Sequence, residues 1–164
     1  MYSARSFDSV FTESLATGDS NLVSLSWGMI EVGKDTTSYP VPEGKLVRLE
    51  NLGAVGKAYD VTVDFSDPGM VGATFTLPAT VNVSAGATVG VPVGLTLDPT
   101  QLPLDSNVSD VPLNFGVMEE YYGFITFTNQ ADAADTVRVP FYFVPRPYST
   151  LTQGANPDTV MSIH

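Results

Sequence analysis

Apolar and polar residues alternate one by one over most of this chain, and a two-residue period is the signature of strands with one buried face. Val137, Val139, Phe141 and Phe143 recur at every second position of 136–144. The preceding run 121–128 (Tyr-Tyr-Gly-Phe-Ile-Thr-Phe-Thr) and a polar connection at 130–135 complete an antiparallel hairpin. The cleanest strand places Tyr59, Val61, Val63 and Phe65 on one face and Asp60, Thr62, Asp64 and Ser66 on the other. Slipping it by one residue would expose four large apolar side chains, at a cost of roughly 6 to 12 kcal/mol. That is comparable to the whole stability of a domain, so only one register works.

Further strands are predicted where Val23, Leu25, Trp27 and Met29 alternate with Ser24, Ser26 and Gly28, continuing to Val32. Others fall at 45–51, with Val47 and Leu49 on one side, at 73–77, at 80–83, and at 88–97, with Val89, Val91, Val93, Leu95 and Leu97 in line. Turn residues around Pro40, Pro42 and Gly44 separate the first two. Pro92 and Pro140 sit inside strands and cannot donate to a ladder, which places each at a sheet edge or a bulge. Seven to eight short strands with turn signals between them predict an all-β fold, a two-sheet antiparallel β-sandwich of fibronectin type III/immunoglobulin type.

The ends of the chain differ from this body. Phe7, Val10, Phe11 and Leu15 follow a helical spacing, so residues 1–22 are expected to be a linker or short helix, ended by Thr17-Gly18-Asp19-Ser20. The sandwich is expected over 23–147, and 148–164 has no periodicity and reads as a loosely ordered tail. Residues 98–120, with Pro99, Pro103, Pro112, Asp105 and Asp110, read as a long irregular crossing between sheets and the longest candidate functional loop.

Composition agrees with this picture: 164 residues suit one domain, with 43% hydrophobic residues, 15% charged, 14 Gly and 12 Pro. A formal net charge of -11 repels nucleic acid and anionic membrane surfaces. There is no cysteine for disulfides or thiolate metal sites. No apolar run approaches the roughly 20 residues of a membrane span, so no membrane insertion is expected. Residues 1–6 lack the apolar stretch of a signal peptide, so in a secreted parent this chain would be an internal segment.

Candidate chemistry is sparse. The single histidine is His164, the final residue, where a triad is hard to hold, and no Gly-x-Ser-x-Gly elbow occurs. Glu119 and Glu120 are sequence neighbours and point to opposite sides of an extended chain, which does not suit a glycosidase pair. With Asp105 and Asp110 they read as solvated charge; calcium in the 98–120 loop stays open, although no Asp-x-Asp-x-Asp-Gly loop is present. The expectation is therefore no catalytic, cofactor-binding or metal site. Trp27 lies in an apolar register and reads as core, whereas Tyr121, Tyr122, Tyr142 and Tyr148 are candidates for a sugar platform or partner contact. Tyr142 lies opposite the Phe141 and Phe143 face, and Tyr148 is a candidate docking residue for a neighbouring domain. Asn82-Val83-Ser84 and Asn107-Val108-Ser109 match the N-glycosylation pattern, which matters only in a glycosylating host.

The order of landmarks resembles the fibronectin type III-like accessory domain that follows the catalytic domain in bacterial subtilisin-like serine proteases. The residues carrying the likeness are 24–28 (Ser-Leu-Ser-Trp-Gly), 47–53 (Val-Arg-Leu-Glu-Asn-Leu-Gly, ending in Asn-x-Gly), 58–63, 81–86, and the hairpin from 122–125 to 139–141, spanning about Leu22 to Pro145. The resemblance implies a noncatalytic module that supports domain positioning, stability or substrate engagement. Its partners would be the parent protease's catalytic domain and its protein substrate, in an extracellular or cell-surface setting. The alternative is a cell-surface adhesion or glycan/protein-binding sandwich that recognises its ligand through the 98–120 loop.

Overall fold

The computed structural model describes residues 8–14, 24–33, 36–102 and 120–148, with side chains described over 24–33, 36–102 and 120–146. Most of the expected long crossing at 98–120 (its residues 103–119), all but the first residue of the expected tail at 148–164, and most of 1–22 therefore lie outside the described residues. The chain is an all-β sandwich of two antiparallel-dominated sheets, as the alternation predicts.

Among the described residues ten strands form it: β1 (Asp8–Ser14), β2 (Leu25–Gly33), β3 (Tyr39–Pro40), β4 (Lys45–Asn51), β5 (Lys57–Phe65), β6 (Ala73–Thr76), β7 (Thr80–Val83), β8 (Thr88–Leu97), β9 (Tyr121–Asn129) and β10 (Thr136–Tyr148). The two beyond the expected eight are β1 and the short β3, which occupies part of the predicted turn around Pro40. β1 also corrects the helical reading of the first residues. It pairs antiparallel with β4 from Asp8↔Asn51 to Ser14↔Lys45. A helix of two turns is marginal in water, whereas the edge of β4 offers a ready row of backbone partners.

The first sheet runs β1-β4-β8, with β3 and β6 completing it. Tyr39 and Ala73 both pair with Leu97, so β3 and β6 flank β8 on opposite edges. β3 and β4 follow one edge in succession, bridged by the Val41 amide donating to the Leu95 carbonyl at 2.8 Å. The second sheet has the order β2-β10-β9-β5-β7. Its β10–β2 pair is parallel, from Phe141↔Leu25 to Tyr148↔Gly33. From β5 to β8 the chain changes sheet at each strand, because β6 and β8 belong to one layer and β5 and β7 to the other.

The in-facing residues are those the period selects. Val47, Leu49, Val91, Val93, Leu95 and Leu97 from the first sheet meet Leu25, Tyr59, Ile125, Phe127, Val139, Phe141 and Phe143 from the second, all buried. Val61, Val63 and Phe65 are half-buried and pack on this core, while Asp60, Thr62 and Asp64 are exposed. One expectation fails in an instructive way. Met29 is 51% exposed, and Ile30 and Val32 point inward instead. The cause is a bulge: Tyr142 pairs with Ser26 and Phe143 with Gly28, so Trp27 is the extra residue. Gly28 has φ of 60°, a conformation that glycine adopts without steric cost, and the alternation changes phase there.

The prolines sit where a strand has a neighbour on one side. Among the described residues, β6 reaches β8 only from Gly94 onward, beyond Pro92, and β2 joins β10 only from Phe141 onward, beyond Pro140. Both strands are interior to their sheets, yet each proline occupies a local edge, which removes the need for its missing donor.

Candidate functional site

The outer face of the second sheet carries the exposed aromatic residues. On β9 and β10, Tyr122 and Tyr142 are directly opposed across the ladder and are 47% and 37% exposed. Cross-strand neighbours of this kind lie close enough for their rings to form one continuous surface. The next row opposes Pro140 to Phe124, with Asp64 of β5 on the far side of Phe124. The Arg138 guanidinium lies 4.1 Å from the Phe124 ring centroid, a cation–π contact that fixes one border of the strip. Met29 on β2, brought outward by the bulge, extends the apolar strip on the other side of β10.

Polar groups frame this strip. Asp64 Oδ2 accepts from the hydroxyls of Thr126 at 3.3 Å and Thr62 at 3.4 Å. Arg146 lies 3.7 Å from Glu31 in an exposed pair, an interaction worth about 0 to 1 kcal/mol. Partial desolvation, reinforced by the charge of Glu120 and a hydrogen bond to it, raises the Tyr142 phenol above its ordinary value. The face is therefore neutral at its centre, amphipathic, and charged at its rim, with Asp64, Glu31 and Glu120 alongside Arg138 and Arg146. Such a surface suits stacking or partner contact, whereas proton transfer would need titratable groups converging on a cleft.

The aromatic candidates divide cleanly. Trp27 is buried and its indole N–H donates to the Glu43 carbonyl at 2.7 Å. Tyr121 is also core, its hydroxyl donating to the Val71 carbonyl at 2.6 Å, so it does not belong to a surface platform. Tyr122 and Tyr142 alone of the set are brought together at the surface; the Tyr148 side chain lies outside the described residues. So do Glu119, Asp105, Asp110, Asn107-Val108-Ser109 and His164. Glu120 is exposed beside Tyr142, and Asn82 of the other glycosylation pattern is exposed on β7. Among the described residues no three acidic or imidazole side chains gather as metal ligands would.

At the start of the 98–120 segment, Asp98 folds its own loop. Its Oδ1 accepts from the Thr100 amide at 3.0 Å and the Thr100 hydroxyl at 2.6 Å, and its Oδ2 accepts from Gln101 at 2.6 Å. The Thr100 hydroxyl, more than any other contact, holds the Asp98 carboxyl below its usual value. Asn51 does similar work in the Asn-x-Gly segment. Fully buried, it donates to the carbonyls of Val55 and Val83 and accepts from the Gly53 amide.

Three polar residues at the same end of the sandwich escaped the sequence reading. Lys57, Asn129 and Asp135 converge there, with Lys57 Nζ 2.8 Å and Asn129 Nδ2 2.9 Å from Asp135 Oδ2. Asn129 and Asp135 flank a loop that reads simply as solvated, and Lys57 precedes the alternating part of β5. The available signal was parity: Lys57 and Asn129 share the in-facing register with Tyr59 and Phe127.

No protein-family model matches this sequence, and no curated protein matches it either. Among solved structures it is similar to a FixG-related protein from Vibrio parahaemolyticus, at 13% identity and a TM-score of 0.46, covering 66% of this chain and 93% of that one. A PapD-like domain of human CEP192 gives 13% identity and a TM-score of 0.45, over 84% of this chain and 86% of that one. The secreted serine protease VesC from Vibrio cholerae gives 12% identity and a TM-score of 0.41, over 78% of this chain and 22% of that protein.

Proposed function

We propose that this chain is a noncatalytic accessory β-sandwich of a secreted subtilisin-like serine protease, and that it docks on the parent's catalytic domain through the Tyr122–Tyr142 face. The observation that carries the docking is the pairing of two exposed tyrosines in one cross-strand row, continued by Phe124 and Met29. Contiguous exposed apolar surface framed by polar groups is characteristic of contact sites. The ordered landmarks of the sequence supply the protease assignment, and the extracellular setting follows from it.

The test has two parts. The parent coding sequence should encode Asp, His and Ser motifs of a subtilase upstream of residue 1, and the isolated chain should not cleave a broad-specificity fluorogenic peptide. In the parent protein, Tyr122→Ser with Tyr142→Ser should increase protease-accessible cleavage between catalytic domain and sandwich while leaving the sandwich folded. Robust peptidase turnover by the isolated chain would refute the noncatalytic assignment. An upstream region with no catalytic domain would favour the adhesion or glycan-binding alternative, for which the same tyrosines would serve as a stacking platform.

A further inference from the structure

We propose that Lys57, Asn129 and Asp135 form an autocatalytic cross-linking site, in which the Lys57 amine becomes joined to the Asn129 side-chain carbonyl by an amide bond. The topology creates the juxtaposition. Tyr59 pairs with Asn129 at the end of β9, so Lys57, two residues earlier on β5 and in the same in-facing register, extends past that strand toward the β9–β10 loop. The loop presents Asp135 there, anchored by the Asn129 amide donating to the Asp135 carbonyl at 3.0 Å and the Asp135 amide donating to Asp132 at 2.9 Å. The Lys57 and Asp135 side chains are 13% and 5% exposed, and Asn129 is buried.

Two sets of contacts bear on the reaction. Asp135 Oδ2 accepts hydrogen bonds from both the Lys57 amine and the Asn129 amide nitrogen, so one carboxyl oxygen touches nucleophile and leaving group together. Asn129 Oδ1 accepts from the Ala131 backbone N–H at 3.0 Å, a donor aimed at the oxygen on which negative charge would develop. Water is largely excluded, which disfavours a separated ammonium and carboxylate and favours proton transfer within the pair.

The reaction balances without any co-reactant. Lys57 passes a proton to Asp135, and the neutral Nζ adds to Cγ of Asn129, leaving the oxyanion against the Ala131 N–H. Asp135 then delivers its proton to Nδ2 and takes one from Nζ. The Cγ–Nδ2 bond breaks as the carbonyl re-forms, and ammonia leaves carrying the proton that Asp135 holds. In sum, a lysine ammonium and a carboxamide become a secondary amide and ammonium, with no change of oxidation state. The bond would tie β5 to the β9–β10 hairpin across the second sheet.

Intact-mass spectrometry of the purified, denatured chain tests this directly. The expected mass is one ammonia below that of the sequence, with a branched peptide joining the segments that hold Lys57 and Asn129. Asp135→Asn and Lys57→Arg should each carry the full mass while remaining folded by circular dichroism; if either fails to fold, the branched peptide of the natural chain still decides. The full sequence mass in the natural chain overturns the proposal. So does loss of ammonia that persists in Lys57→Arg, which would signal asparagine ring closure, or loss of one water, which would place the bond on Asp135.

Discussion

The two ends of the sandwich interior are closed by opposite means. At one end Trp27, Phe65, Phe75, Tyr121, Phe141 and Phe143 pack ring against ring, with centroids 4.7 to 6.3 Å apart and mostly tilted or edge-to-face. At the other, where β5 begins and β9 ends, the buried Asn51 bonds the backbone of Val55, Val83 and Gly53, and the half-buried Lys57 and the buried Asn129 both donate to the buried Asp135. The aromatic end gains from area removed from water, and its polar groups are satisfied: the indole and the phenol bond backbone carbonyls, and the buried Lys45 amine lies over the Trp27 ring and pairs with Glu43. The polar end holds its loops in defined shapes, but each buried group there is costly if its partner is removed. One end supplies stability and the other supplies directed chemistry.

The largest expected effect lies at the aromatic end. A Cβ on Gly123 would stand 2.1 Å from the Asp64 carbonyl oxygen and 2.7 Å from the Phe141 ring, both fixed in the sheet or the core. Gly123→Val should therefore cost about 4 kcal/mol or more, seen as collapse of the thermal transition. A mild loss would mean that β9 and β5 are looser there than the aromatic packing requires.

At the polar end, Asn51→Ala removes three hydrogen bonds from a fully buried site and should cost about 2 to 3 kcal/mol in denaturant unfolding. An effect near zero would show that water replaces the amide and that this end is wetter than described. Between the two ends, Val61→Asp places a carboxylate on the core side of β5 and should cost about 1 to 3 kcal/mol, whereas Thr62→Asp on the outer face should stay within about 0.5 kcal/mol. Equal, small effects would mean that the register of β5 is wrong.

The bulge gives a smaller test. Met29→Ser should change stability by less than about 0.5 kcal/mol, because its side chain is already outside; a core-sized loss would remove the phase change at Gly28. The smallest effect is electrostatic. Tyr142 has a folded-state pKa raised above the unfolded one, so its contribution to stability is present below the unfolded value and is lost as pH rises through the folded value. Absorbance titration should show a phenol component ionising above the ordinary range near 10 that is lost in Tyr142→Phe and shifted down in Glu120→Gln.

The amino-acid order by itself determined the class of fold and most strand registers, because burying one face of a pleated strand leaves a period of two that a single misplaced residue would destroy. Val139, Phe141, Phe143 and the row from Val91 to Leu97 were legible in this way, as was the outward direction of Tyr142. The tertiary structure decided what periodicity does not encode. β1 formed because β4 offered an unpaired edge, and Met29 moved outward because Gly28 permitted an extra residue opposite β10. Tyr121 and Tyr122 were indistinguishable as types until pairing sent one inward and the other to the surface. The meeting of Lys57 with Asn129 and Asp135, residues more than seventy positions apart, depended on three chain segments ending at the same height, a fact of register and layer that no local pattern carries.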